Sequence, residues 1–149
     1  MQDKSKFAIG IIITMLATAF ILRGMNYYTK KGFVEIGGED FKVEVVKKDW
    51  EMEKGLSGRT GLKDNAGMLF VFPNADFQIF WMKDMKFSID IIWINEGKIV
   101  DIKERAVVPV TQYIESYRPS EIAKYVLEIN AGLAEKYGFK IGDKVKLDI

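Results

Sequence analysis

The chain has 149 residues, 48% of them apolar and 29% charged, carries a net charge of +1, and contains neither cysteine nor histidine. Such a length gives room for one domain plus an appendage, and the composition is that of a globular protein. The absent residue types exclude disulfides, thiolate or imidazole metal sites and Cys/His or Ser/His/Asp nucleophiles, and the near-neutral charge with no basic run argues against nucleic acid.

Phe7 to Leu22 is an uncharged run interrupted only by Gly10, Thr14 and Thr18, preceded by Lys4 and Lys6 and closed by Arg23. As a helix its sixteen residues would span roughly 24 Å, a little short of the ~30 Å hydrocarbon core of a bilayer. Snorkelling by Lys6 and Arg23 would make up the difference. The expectation is an N-terminal signal anchor over residues 1–23, contacting the membrane through residues 7–22. A cleaved signal peptide is the competing reading, since Ala17-Thr18-Ala19 resembles a cleavage site, although Phe20-Ile21-Leu22 continue the apolar run beyond it. A buried core helix suits the run less well, because it is apolar on every face. The early lysines suit export, which places the remainder outside the cytoplasm, or secretes it if the signal is removed. Residues 24–32, with Tyr27 and Tyr28, read as a juxtamembrane linker before a globular domain over 33–149.

In that domain Phe33–Ile36 and Phe41–Val46 flank Gly37-Gly38-Glu39-Asp40 as a hairpin. Asp49 is expected to cap a short helix from Trp50 to about Ser57, with Gly58 ending it. Met68–Phe72 is apolar on both faces, as a central strand is. Phe77–Met82 follows as a further strand. Ser88–Ile94 and Lys98–Arg105 flank a three-residue hairpin loop, Asn95-Glu96-Gly97. Residues 106–123 read as a long loop, and Tyr125–Ile129 as a strand. Asn130 is expected to cap a helix over Ala131–Tyr137 that stops at Gly138, and a final strand alternates Val145, Leu147 and Ile149 with charges. The fold class is α+β and β-rich: a small twisted sheet or partial barrel with two short helices, preceded by the transmembrane helix.

Phe80–Ile94 concentrates charge and tryptophan within strand-like sequence. Period-two alternation puts Phe77, Ile79, Trp81 and Lys83 on one face, and Gln78, Phe80, Met82 and Asp84 on the other. On the next strand Ile89, Ile91 and Trp93 oppose Ser88, Asp90, Ile92 and Ile94. A carboxylate at Asp90 is either a buried, paired or hydrogen-bonded group, with Lys83, Lys86 and Arg59 as partners by type, or a site residue beside an aromatic wall. Trp81 is either core or the mouth of a pocket beside Lys83. Glu128 shares a face with Val126 and Asn130 and is either solvated, cross-strand paired or a site group. Arg59 would bind an anion or the last helix carbonyls. Ser116 and Tyr117 lie in the long loop, where ligand groups are common.

Several segments carry a resemblance. Gly55-Leu56 with Gly58-Arg59, Gly67–Phe72, Phe80-Trp81-Met82-Lys83 with Ile89-Asp90-Ile91-Ile92, Tyr125–Gly132, and Gly138 with Gly142-Asp143 together resemble the DUF192 family, also called UPF0127, from about Glu39 to Ile149. Asp84-Met85 stands where members often carry Asn-Thr. The resemblance implies a compact β-rich fold and no established activity.

Three functional expectations follow. The first is a binding module in which Arg59, Trp81, Lys83, Asp90, Tyr117 and Glu128 line a cleft for a small polar or sugar-like ligand or a peptide. The second is a carboxylate-based hydrolase or lyase, with Asp90 and Glu128, or Asp84, as the acid/base pair and Lys83 or Arg59 stabilising negative charge. The third is a structural accessory domain of an envelope complex. No motif points to a metal or a cofactor.

Overall fold

The computed structural model describes residues 30–149; the apolar run and most of the linker lie outside the described residues. Among the described residues no helix is long and apolar enough to cross a membrane. The chain runs β1 (Lys30–Ile36), β2 (Glu39–Val46), α1 (Asp49–Lys54), β3 (Ala66–Asp76), β4 (Phe80–Trp81), β5 (Ile89–Asn95), β6 (Lys98–Ala106), β7 (Ser116–Tyr117), β8 (Ala123–Asn130), α2 (Leu133–Tyr137) and β9 (Val145–Asp148). Among the described residues the protein is β-rich with two short helices, and β1 already begins within the expected linker.

Seven strands form one sheet in the order β6-β5-β8-β3-β2-β1-β9, while β4 and β7 make a separate two-stranded ribbon. Only the β2–β3 pair is parallel, because the chain crosses over through α1 between them; the other pairs are antiparallel. The sheet curls until its edges touch at one corner. There Val145 N–H donates to Gly97 O at 2.8 Å and Ile99 N–H to Asp143 O at 3.0 Å, with Lys98 bridging Lys144. The result is a partial barrel.

Alternation along the strands divides the core in two. Phe41, Val43, Val45, Leu69, Leu127, Ile129, Ile92 and Ile94 point into the barrel, where Ala134 and Phe139 of the α2 region join them. Met68, Phe70, Ile89, Ile91, Trp93 and Val126 point outward, under Leu56, Met82, Met85 and Tyr117. The face assignments expected for Ile89–Ile94 and for Glu128 therefore hold.

Asp90 is wholly buried on the inward face, and its partners are backbone amides, not a lysine or arginine side chain. Oδ1 accepts from Arg105 N–H at 2.8 Å and Gly132 N–H at 3.0 Å, and Oδ2 accepts from Ala134 N–H at 2.8 Å. The first of these bonds fills a bulge. The β5–β6 register steps from Ile89↔Ala106 to Ile91↔Lys103, so Glu104 and Arg105 together oppose Asp90, and Arg105 takes φ +51°. The other two bonds cap α2. Gly132 stands at φ +84°, and a side chain there would also press on the Arg105 guanidinium at 3.3 Å.

Several local expectations are corrected. Asp49 is the first residue inside α1, not its cap; Glu51 Oε2 accepts from Lys48 N–H at 3.3 Å, and the helix ends at Gly55 (φ +46°), before Ser57 and Gly58. Asn130 does not cap α2 but ends β8, and its amide donates to Leu62 O at 3.3 Å and Lys63 O at 3.2 Å. The helix starts at Leu133 because Asp90 holds its first amides. The β5–β6 loop has two residues, since Asn95 pairs with Lys98, and Glu96 and Gly97 both have positive φ, as the tightest hairpin turn requires. Phe77–Met82 is not a continuous strand. Asp76 Oδ1 takes the Phe77 N–H at 2.7 Å and Gln78 O takes the Trp93 indole N–H at 2.7 Å, leaving only Phe80–Trp81 to pair, with β7.

Asp90→Asn would place an amide N–H₂ against at least one backbone N–H and remove the charge that strengthens all three bonds. The expected loss is roughly 2–4 kcal/mol of unfolding free energy, read by urea denaturation. A loss below 0.5 kcal/mol would show the carboxylate to be dispensable.

Candidate functional site

The outward face of β3 and β8 is only partly covered. Glu44 of β2, Met68 of β3, Glu128 of β8 and Ile91 of β5 form one row across the sheet, because Glu44 pairs with Met68, Met68 with Glu128 and Glu128 with Ile91. Parity puts all four on the outward face. Two carboxyl groups thus flank one methionine on a surface that is otherwise apolar.

Arg59, just beyond α1, answers the first of them. Its Nη1 donates to Glu44 Oε1 at 2.5 Å and its Nη2 to Glu44 Oε2 at 2.9 Å, a two-pronged ion pair that raises the arginine pKa above its ordinary value. Glu128 has no such partner. It is 5% exposed and its Oε2 makes no hydrogen bond. Burial pushes its carboxyl up to about 8, against a smaller opposing pull from the Arg59 charge. Burial therefore favours the neutral carboxylic acid over the carboxylate at Glu128.

This carboxyl lines a cleft of about 280 Å³ between α1 and the segment leading into β4. Met52, Gly55 and Leu56 form the helix side; Phe70, Phe72 and Met85 form the apolar base; Ile79, Phe80 and Trp81 form the opposite wall. Phe80 is fixed by edge-to-face contacts with Phe70 at 4.8 Å, Trp93 at 6.2 Å and Phe72 at 6.4 Å. Ser57 Oγ donates to Lys83 O and Gly58 N–H to Asp84 O, each at 2.9 Å, which ties the two walls together at one end. Trp81 is 52% exposed at the rim. Beside it a shallower groove is lined by Trp50, Glu53, Ser57, Lys83 and Asp84.

The candidates from the sequence separate. Trp81 and Glu128 share the cleft, Lys83 and Asp84 meet Trp81 in the adjoining groove, and Arg59 adjoins Glu128 through its field. Asp90 is elsewhere: it faces the barrel interior, so it neither lines a cleft with Trp81 nor opposes Glu128 across one. Tyr117 is buried in the outer core, opposite Phe80 across the β4–β7 ribbon, and its hydroxyl donates to Glu115 at 2.9 Å. Burial, with that bond, raises the Tyr117 pKa. Ser116 stands opposite Trp81 in the same ribbon. Met52, Leu56, Phe70, Phe80 and Met85, none of them a site candidate in the sequence, also line the cleft. The alternation that puts Phe70 and Phe72 on one face of their strand is the sequence signal that could have found it. Among the described residues no group of carboxylates is arranged to hold a metal ion.

The DUF192 family model, described as an uncharacterized ACR, matches residues 32–147. A crystal structure of a protein of unknown function from Novosphingobium aromaticivorans is similar at 34% identity and a TM-score of 0.67, over 78% of this chain and 83% of that one. A Sinorhizobium meliloti protein, described only provisionally as a transcription regulator, is similar at 30% identity and a TM-score of 0.68, over 78% and 92%. No curated protein matches the sequence.

The raised pKa of Glu128 has a defined effect on stability. The unfolded carboxyl ionises near 4.5 and the folded one near 8, so its contribution is complete below pH 4.5 and is lost as pH rises through 8. Glu128→Gln should match the parent near pH 4 and gain on it by up to about 1.4 kcal/mol per pH unit above that. Chemical denaturation of both proteins from pH 4 to 9 reads the difference; a gap independent of pH would mean that Glu128 is ionised in the fold.

Proposed function

We propose, for a chain that belongs to the DUF192 family, that its globular domain is a binding module and that the cleft between α1 and β4 is where a small molecule or a peptide side chain binds. The carrying observation is the combination at that cleft of a half-exposed tryptophan, an aromatic base and one buried carboxyl without a partner. Pockets that bind small ligands are mostly apolar, with few oriented polar groups. A fold with no ligand to bind has little reason to leave Trp81 outside and Glu128 inside.

Binding is favoured over carboxylate hydrolysis. Acid/base chemistry of the glycosidase kind needs two carboxyl groups facing one substrate. Asp90 is on the opposite face of the sheet from Glu128 and is fully engaged with backbone amides, Asp84 lines the adjoining groove, and Glu53, the second carboxyl at the cleft, is an exposed side chain of α1.

Tethering belongs to the same proposal. The uncharged run Phe7–Leu22 would hold the domain at the outer face of a membrane as an anchor or, if cleaved, would release it after export. A C-terminal fusion to a reporter active only after export should be active; activity of a cytoplasm-only reporter instead would overturn the orientation.

The cleft is tested by screening the full-length protein against sugars, nucleotides, small aromatic compounds and apolar peptides by thermal shift. Hits should disappear in Trp81→Ala, while that variant, altered at an exposed position, keeps its own melting temperature within about 2 °C. Hits that survive Trp81→Ala would place binding elsewhere.

A further inference from the structure

The Glu128 carboxyl has a chemistry that narrows what the cleft can hold. Its Oε2 is shut away from solvent and has no hydrogen-bond partner within the protein. The groups around it leave that vacancy in place. Met68 and Ile91, its neighbours in the row, carry no polar group able to pair with it, and Val126 is its apolar companion on β8. From β2, Glu44 presents a carboxylate that is already committed to Arg59. From beyond α1, Arg59 spends both terminal nitrogens on Glu44 and reaches Glu128 only as a field. From α1 itself, Glu53 and Lys54 line the same cleft, and Lys83 and Asp84 lie in the adjoining groove.

We propose that Glu128 serves as a hydrogen-bond donor, its carboxylic O–H directed to an acceptor oxygen, and that the ligand class is a flat apolar molecule or side chain carrying a ketone, ester or amide carbonyl. The inference rests on the cleft being a binding site. A buried donor without an acceptor costs about 1–3 kcal/mol, and a ligand carbonyl removes that cost while its apolar body covers Phe70, Phe80 and Trp81. A cationic ligand fits less well. It could pair with Glu128 only after the carboxyl had lost its proton to solvent, and it would then lie within the field of the Arg59 guanidinium. An apolar ligand with no acceptor would leave the O–H unpaired. Burial favours the protonated form, raising the carboxyl to about 8. A neutral acid held this way donates where a carboxylate could only accept.

Three probes of one shape separate these outcomes: acetophenone, isopropylbenzene and 1-phenylethylammonium. They are titrated into full-length protein at pH 6.5 and 9.5 while the Trp81 indole N–H is followed by NMR, at one detergent concentration so that partitioning cancels between variants. Acetophenone should bind about ten-fold more tightly than isopropylbenzene at pH 6.5, the worth of one hydrogen bond in a dry site, and should lose most of that advantage at pH 9.5. Glu128→Gln retains a donor and should keep the preference with no dependence on pH, whereas Glu128→Leu should abolish it. Equal binding of acetophenone and isopropylbenzene would overturn the donor role and leave the cleft as a binding site. Tightest binding by 1-phenylethylammonium, growing with pH, would overturn it in favour of a cation site. Failure of all three to shift Trp81 would overturn both the donor role and the cleft.

Discussion

The carboxylate of Asp90 is the constraint on which the rest of the molecule depends. One side chain, buried among isoleucines, takes the N–H of Arg105, Gly132 and Ala134, and so joins the β5–β6 bulge to the β8–α2 turn. Each of those amides would otherwise be a donor without a partner, at the bulge or at the first turn of a helix. The helix it starts is only five residues long and could not form by itself. Held there, α2 delivers Ala134 into the barrel interior and leads to Phe139, which packs on Phe41 at 6.1 Å between ring centres. Arg105, turned outward by its positive φ, pairs with Glu135 of the same helix, a second and exposed tie across the same joint. Exposed pairs of this kind contribute little. The buried carboxylate carries the joint.

Two buried carboxyl groups on one sheet therefore have opposite fates. Asp90 faces inward and is saturated; Glu128 faces outward and is not. The difference follows from what each face is packed against. The barrel interior is closed by backbone from the α2 turn, which offers N–H groups. The outer face is closed by side chains of α1 and the β4 segment, which offer methionine, leucine and aromatic rings. Amides can satisfy the oxygens of a carboxyl group, whereas rings and thioethers cannot, so one group is fully hydrogen-bonded and the other is left without a partner for Oε2.

Much of this was legible in the sequence, and what was not has a physical reason. Period-two alternation separated Ile89, Ile91 and Trp93 from Asp90 correctly, because strand parity is a local property of the backbone. It also put Glu128 on a face of its own with Val126. It could not tell which element covers each face, since that depends on the curl of the sheet and on the α1 crossover. Asp90 and Glu128 therefore looked like possible partners in the sequence although they point to opposite sides. The partners of Asp90 were invisible for a different reason: they are main-chain groups, and their availability is set by a bulge and a left-handed glycine, neither of which has a side-chain signature. The break in Phe77–Met82 was hidden in the same way, since it follows from main-chain atoms bonding to Asp76 and to the Trp93 indole.

The aromatic cluster on the outer face links the two halves of the structure. Trp93 lies beside Asp90 in β5 but points the other way, donating its indole N–H to Gln78 O and meeting the edge of Phe80. Whatever holds β5 in register therefore also holds the wall of the cleft. Glu128 is paired in register with Ile91, two residues before Trp93, so the floor and the wall are fixed by the same strand. Trp81 projects from the two-residue β4, which pairs with β7, while its neighbours Phe80 and Met82 pack into the outer core. The floor thus carries one uncommitted hydrogen-bonding group, and the packing of Phe80 and Met82 sets the exposed Trp81 beside it. In the proposed reading Glu128 and its aromatic neighbours choose the chemistry of what enters, while the Asp90 joint lies on the other side of the sheet.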